Sequence, residues 1–512
     1  MPTPRRNVLL IVTDQQRFDS LGCTGHPTVH TPHLDRLAQN GALFTRHFTA
    51  NPVCMPSRAS TLTGCYPSVH GVWTNGVALP RAEYTPINDQ TQAVLQNHWT
   101  DPAQTPPIPS HLLTLADAFA AAGHRTSAFG KLHVTPTMSD ASLGFPESKQ
   151  RWQADPAMAD WHGPYYGFEH VELSLDHGPM VGGHYTAWLE KHHPEMAATV
   201  TRELSEAPRP TPLGDLYVSS HTRQTHPTSW VADRVCDRIA QHAGADEPFL
   251  IWAGIPDPHH PFTPPRELAE AYEQHDTPQR AADPETMGDE PRWVTHARGG
   301  ADLIDAATSR RARQYTDAMV HLIDEAVGRM LDALDAAGLA DDTVVVFTAD
   351  HGDYLGDYGL IRKTIYPARV LSHTPLIVRD PSGSLSGTIA CPASNTDLLP
   401  TLAGLAGIDV PTGVQGEDLR RVVAEGRGLP VMIQSANGLP SATSLTTIDQ
   451  THRTTWWPGT GKLDSFDHRT DPMELDNLGE RDKDPSVNER LGQLQAAYGR
   501  SVRPTVGRVA CW

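Results

Sequence analysis

Four short apolar runs stand out along the chain: VLLIV at 8–12, RTSAF at 125–129, FLIWAGI at 249–255 and TVVVFT at 343–348. None alternates apolar with polar positions, so each reads as a strand buried on both faces, as in a parallel sheet. Between them the period changes to that of a helix. HLDRLAQNG (33–41) and LLTLADAFAAAG (112–123) each end in a glycine suited to a helix stop. The run from Tyr315 to Gly338 carries Leu322, Ile323, Val327, Met330, Leu331 and Leu334 on one face. Helical pattern returns in NTDLLPTLAGLAGI (395–408). Strands alternating with helices predict an α/β fold, a large mixed, mostly parallel sheet sandwiched by helices. After Pro411, short strands such as LPVMIQS and TTWWPGTGKLDSFD predict a smaller C-terminal α+β subdomain with a short antiparallel sheet. The boundary is expected near 408, giving a large α/β unit over 1–408 and a smaller unit over 409–512.

The residues that follow these strands carry the chemistry. The first strand leads into Asp14 and Gln15, the second into Gly130, Lys131 and His133, the third into His259 and His260, the fourth into Asp350 and His351. In open α/β sheets, ligands bind beyond the carboxyl ends of the strands. Four segments far apart in sequence therefore deliver acids, an amide, imidazoles and a lysine to one edge. The stretch 136–230, rich in Pro, Gly, His and Trp, is expected to be loop-dominated, and 275–300 to be another exposed loop. His162, His170, His177, His184, His192 and His193 lie in the first of these and read as solvated loop histidines without metal-binding spacing. The Trp456–Trp457 pair reads as packing in the smaller unit.

Composition narrows the function. A chain of 512 residues can bury a large core, in one very large domain or two to three ordinary ones. The net charge of −19 excludes a protein built to bind nucleic acid or a membrane surface. An anionic substrate would need a local island of cations. Cysteines at 23, 54, 65, 236, 391 and 511 show no paired spacing, so no disulfide scaffold is expected. The start, MPTPRRNVLLIVTDQQR, has too short an apolar run for a signal peptide and no small-residue cleavage site. No run reaches the length of a membrane span. The expected location is cytoplasmic.

Cys54 is singled out by its neighbours. In CMPSRAS, Pro56 suits the first turn of a helix, which puts Cys54 at or just before the helix N-terminus. Free N–H groups and the helix dipole there favour an anion. Arg58, one turn on, can face the same side. From these residues alone, an anion-binding corner and an ordinary buried cysteine are equally good readings.

The run Cys54-Met55-Pro56-Ser57-Arg58, followed by Ala59-Ser60-Thr61-Leu62-Thr63-Gly64, resembles the C-x-P-S-R signature of type I, formylglycine-dependent sulfatases of the alkaline phosphatase superfamily. The resemblance spans roughly 7–75, 123–133, 250–262 and 343–380, and loosely the C-terminal segment. It makes 1–408 the catalytic unit. It implies that a separate formylglycine-generating enzyme oxidises Cys54, and that Asp14, Gln15, Cys54, Asp350 and His351 hold one divalent metal. Carboxylates and an amide suit calcium or magnesium. His351 and Gln15 depart from the commoner Asn and Asp, and imidazole tolerates manganese better. Calcium is the expected ion, with manganese or magnesium as alternatives. Lys131 and His133, in GKLHV, match a second, looser signature. His259 matches a histidine near the leaving group, with His260 its local alternative. Lys363 matches a substrate-contacting lysine, with Arg362 its local alternative, and Asn75 a polar substrate contact.

The resemblance implies hydrolysis of a sulfate ester to alcohol and inorganic sulfate. Oxidised Cys54 hydrates to a geminal diol, which attacks sulfur to give a covalent sulfoenzyme hemiester. Asp350 assists deprotonation; Arg58, Lys131 and Lys363 neutralise the sulfuryl oxygens; His259 with Lys363 serves the departing alcohol; His133 takes the second hydroxyl's proton so that sulfate leaves. The nearest rival is a phosphonate monoester or phosphodiester hydrolase of the same superfamily, which the Gln15 and Asp350–His351 set resembles but the Lys131 and His133 pair does not. Two others are a metal-dependent phosphoesterase or an inactive form retaining the Cys54 thiol, and an anion-binding protein without turnover. The expected partner is a small-molecule anionic ester. The alcohol half is not encoded in any readable pattern, and homo-oligomer formation is left open.

Overall fold

The computed structural model describes residues 5–82, 112–178, 181–205, 213–277, 282–285, 291–299, 303–426, 428, 430–436, 443–480 and 485–501. Cys511 and parts of the 275–300 stretch lie outside them. The large sheet has eight strands: β1 (Asn7–Thr13), β2 (Ala42–Phe44), β3 (Arg125–Gly130), β4 (His170–Leu173), β5 (Phe249–Gly254), β6 (Thr343–Ala349), β7 (Leu376–Arg379) and β8 (Gly387–Ile389). Their order is β4-β3-β5-β1-β6-β7-β2-β8. All pair in parallel except β7, which is antiparallel to both β6 and β2.

The apolar runs become strands because both faces are covered. Val8, Leu10 and Val12 of β1 point into one core with Met55, Leu62, Phe119 and Leu402. Those partners come from helices α2 (Cys54–Thr63), α3 (Leu115–Ala121) and α6 (Leu398–Ala406). Leu9 and Ile11 point into the other core with Leu34, Val231 and Ile323, from α1 (Pro32–Gln39), α4 (Pro227–Gln241) and α5 (Ala306–Ala336). Each fully buried aliphatic side chain contributes about 1.5–3 kcal/mol.

Two expectations need correction and one needs refining. Gly41 does not stop α1 by a left-handed turn. It lies where a Cβ would meet the Val378 carbonyl oxygen at 2.4 Å, so it permits close approach to β7. Helix α5 begins at Ala306, nine residues before the predicted start, with the Asp305 carboxylate accepting from Thr308 N (2.7 Å). Its first turns, SRRARQ, are too polar to show a period. The 136–230 stretch is mostly loop among its described residues, as expected, but it also holds β4, the start of α4 and helices Lys149–Ala154, His184–His192 and Pro194–Ser205.

At the C-terminal end, β9 (Val431–Ser435), β10 (Ser444–Ile448), β11 (His452–Trp457) and β12 (Lys462–Asp467) form an antiparallel sheet in sequence order. Trp457 packs as expected, stacked on Tyr366 (5.4 Å), which in turn stacks on Trp293 (4.6 Å). The aromatic layer joins this sheet to the segment that follows β6. No described helix is long and apolar enough to cross a membrane.

Candidate active site

The central strand order brings the carboxyl ends of β3, β5, β1 and β6 side by side. Asp14 follows β1 directly and is fully buried. Gln15 takes a left-handed φ of +62°, and its N–H donates to Asp350 Oδ1 (2.9 Å), tying the ends of β1 and β6 together. His351 Nδ1 lies 2.9 Å from the Gly352 carbonyl oxygen, which directs Nε2 into the site.

Helix α2 enters from the facing layer. Asn51 Oδ1 accepts from Val53 N (3.0 Å), shaping the turn that starts it. Cys54 is its first residue and only 1% exposed. The sulfur lies 3.3 Å from His351 Nε2 and 3.7 Å from Asp14 Oδ1. One turn on, Arg58 is wholly buried. Its guanidinium donates to Asp350 Oδ2 (2.9 Å), Asp14 Oδ2 (3.2 Å) and the Lys131 carbonyl oxygen (3.0 Å). A planar fork with five donors can clamp three chain segments at once.

Beyond β3, Gly130 has φ +86°, and a Cβ there would meet the Gly254 carbonyl oxygen at 2.0 Å. That close approach carries Lys131 inward, with Nζ 2.5 Å from Asp14 Oδ2. Beyond Lys131, the buried His133 is pushed down to about 4, by burial first and by Lys131 second, against the opposing influence of Cys54. Lys363 Nζ reaches Gln15 Oε1 (2.9 Å) and His259 Nε2 (2.8 Å). Arg362 turns away to Asp215 (2.6 Å), and His260 faces the Gln15 amide (3.1 Å). Within each ambiguous pair, Lys363 and His259 are therefore the ones that meet. Asn75 is exposed at the rim, its Oδ1 accepting from Met55 N (3.1 Å).

Burial opposes charge on the Cys54 sulfur, but Lys363, Lys131 and His351 outweigh it and hold the thiol well below its ordinary range. Burial likewise opposes ionisation of Asp14, and the adjacent cations keep it low. Asp350 is raised, by burial and by Asp14. Donor atoms of Asp14, Cys54, Asp350 and His351 all lie within 4.8 Å of one another. Two carboxylates and an imidazole converging in a buried spot fit a divalent cation, which would relieve their mutual repulsion.

The sulfatase family model matches residues 6–408. The chain belongs to the sulfatase family. An arylsulfatase of Clostridium perfringens is 27% identical over 500 residues, covering 92% of this chain and 90% of that one. An ulvan-active sulfatase of Formosa agariphila is 27% identical over 514 residues, covering 95% and 81%. The phosphonate monoester hydrolase of Agrobacterium radiobacter shares the fold, with a TM-score of 0.74, 24% identity and 96% of each chain covered. The sulfatase is thus a sulfuric ester hydrolase.

Some residues of this sulfatase's site escape sequence reading. His177 is not a solvated loop histidine. Its ring stacks on His259 at 3.4 Å and 10°. Nε2 lies 3.5 Å from Asp14 Oδ2 and touches Lys131 Nζ; Nδ1 lies 2.8 Å from Asp176 Oδ1. Burial and Lys131 oppose its charge, yet hydrogen bonds to Asp14, Asp176 and Cys54 push it up to about 9. Lys149 in turn holds Asp176 (2.9 Å). The pair Asp176–His177 follows β4 as the other site residues follow their strands. The alternation of HVEL, an edge-strand pattern, hid that strand. Glu147 was also missed: its carboxylate accepts from the N–H groups of His133, Val134 (2.9 Å) and Thr135 (2.8 Å), fixing the turn after Lys131.

Proposed function

We propose that this sulfatase cleaves the sulfate ester of a small-molecule alcohol with an oxidised Cys54 and one divalent cation. The supporting observation is the setting of Cys54: a buried sulfur at a helix start, facing Asp14 and His351, with lysines 131 and 363 and Arg58 around it. Asp14, Gln15, Asp350 and His351 would hold the ion. When present, the ion supplies Lewis acidity and the aldehyde derived from Cys54 supplies a hydrated carbonyl as nucleophile.

The protein's own groups do the rest. Asp350, fixed by Arg58 and within 4.8 Å of the Cys54 sulfur, serves as the base for the group on Cys54. Arg58, Lys131 and Lys363 take up charge on the sulfuryl oxygens. Lys363 Nζ and His259 Nε2, 2.8 Å apart, form a donor pair for the departing alcohol oxygen. His133, held neutral by burial and by Lys131, accepts the proton whose loss lets sulfate leave. A serine here could attack sulfur but could not expel sulfate by reforming a carbonyl, which is the chemical reason for an oxidised cysteine.

Coexpression with a formylglycine-generating enzyme, followed by peptide mass spectrometry, should show thiol replaced by aldehyde at residue 54. That protein should turn over aryl sulfates, lose activity to a chelator and regain it with calcium or manganese. Full activity from chains with an intact thiol, or activity indifferent to chelation, overturns the reading. Phosphonate monoester hydrolysis is the second reading, favoured by Gln15 and His351 beside the two aspartates. Side-by-side kinetics on an aryl sulfate and a phosphonate monoester decide between them, a strong preference for the phosphonate reversing the order.

A further inference from the structure

The edge strand β4 carries a side-chain cluster that the catalytic centre does not use. His170 and Glu172 are two apart and so share a face of the strand. His162, on the segment leading into β4, lies parallel to His170 with ring centroids 5.0 Å apart and planes at 8°. One donor atom from each of His162, His170 and Glu172 falls within 4.8 Å of the other two, in half-buried surroundings. His162 Nδ1 faces the Val171 carbonyl oxygen at 3.2 Å. With the proton there, the lone pair is left on Nε2, the usual second contact of a metal-ligating imidazole. His170 Nε2 and Glu172 Oε1 are 3.1 Å apart, a spacing that one ion about 2.0–2.2 Å from each would span. His184 backs the group: it stacks on His162 (4.7 Å), accepts from Leu173 N (2.9 Å) and has Nε2 2.8 Å from the Trp161 carbonyl oxygen. Both its nitrogens are engaged, so it orients His162 and is not itself a ligand.

We propose that His162, His170 and Glu172 form a second cation site, for Zn²⁺ or a similar borderline transition metal, on the outer edge of the sheet. Two imidazoles and one carboxylate select such an ion over calcium or magnesium, which prefer all-oxygen shells. Water completes the coordination on the open side. His170 pairs with Ser127, three residues before Gly130, so the site lies about 10 Å back along the strands from the catalytic edge. Its consequence is mechanical. Beta strand β4 leads within four residues to Asp176 and His177, and an ion pinning β4 steadies the segment that delivers them. The inference does not depend on which ester the catalytic centre cleaves.

The test uses the full chain with Asp14→Asn, which removes a carboxylate from the catalytic cluster. After saturation with Ca²⁺ and equilibrium dialysis against micromolar ZnCl₂, metal analysis should find about one zinc per chain. Zinc should also raise Tm. Adding His170→Gln, or separately Glu172→Gln, should abolish both the bound zinc and the Tm shift. In the chain retaining Asp14, each variant should keep turnover within about twofold of the parent, which certifies its fold. Absence of zinc from the Asp14→Asn chain, or equal zinc with and without either substitution, overturns the site. If His170→Gln alone fails to fold, the Glu172→Gln and His162→Gln variants decide by the same two measurements.

Discussion

Two adjacent cations separate cleanly by direction. Arg362 has a left-handed φ of +64°, which turns the chain so that its guanidinium meets Asp215 while Lys363 faces inward. Replacing Arg362 by alanine should therefore leave kcat within about twofold, as expected for a partly exposed ion pair. Replacing Lys363 by alanine should lower kcat by about 10²–10³-fold, the cost of losing one preorganised charge at the reacting group. Steady-state kinetics on an aryl sulfate check both, and equal losses would refute the assignment. Sequence made Asp14 and Asp350 legible as strand-end residues because each closely follows a strongly apolar run, whereas Lys131 and His259 rested on the sulfatase resemblance, with His260 left open beside His259. It could not rank Lys363 above Arg362, because a single dihedral angle decides between them. Nor could it find His177, whose strand has only four residues and one solvent-facing side.

At the scale of elements, the strands covered on both faces (β1, β3, β5 and β6) were readable within two residues, and the short ones (β2, β7 and β8) were not. Three or four residues give no period, and their pairing is set by the neighbours they find, not by their own pattern. The end of β3 shows how an element's geometry serves chemistry. Gly130→Ala would force a Cβ against the Gly254 carbonyl oxygen, 2.0 Å away, at a positive φ. The expected loss is about 1–3 kcal/mol from overpacking alone, read as a lower urea midpoint. Turnover should fall with it, since Lys131 is the next residue. A variant that kept the midpoint and lost only turnover would mean that the strand end is more pliable than this contact allows. Glu147→Gln tests the turn beyond: one carboxylate oxygen becomes a donor, leaving a buried N–H of residues 133–135 without an acceptor. The expected cost is about 1–3 kcal/mol, again by urea midpoint.

For the whole molecule, the join between the C-terminal sheet and the large unit rests on a buried ion pair. Arg453 donates to Glu474 through Nε (2.7 Å) and Nη2 (2.9 Å), while Arg369 N (3.2 Å) and Trp293 Nε1, on the Glu474 carbonyl oxygen (2.8 Å), reach across from the other unit. Burial alone would raise the Glu474 carboxyl, but Arg453 and His468 hold it at about 2. A carboxyl depressed in the folded state stabilises fully above its unfolded value, about 4.5, and loses that contribution as pH falls towards about 2. Thermal melting followed by tryptophan fluorescence should show the join weakening across that window. Glu474→Gln should be less stable near neutrality by about 3–5 kcal/mol, the penalty of stranding a buried guanidinium, and less sensitive to acid than the parent. The depth of Cys54 has a different consequence, one of timing. All ten residues of its helix are sealed inside the finished protein, so the oxidation of Cys54 proposed above requires its catalyst to meet the chain before the sheet and its helical layers close over it. On that proposal maturation and folding are competitors in a race, and slower folding would yield a larger converted fraction.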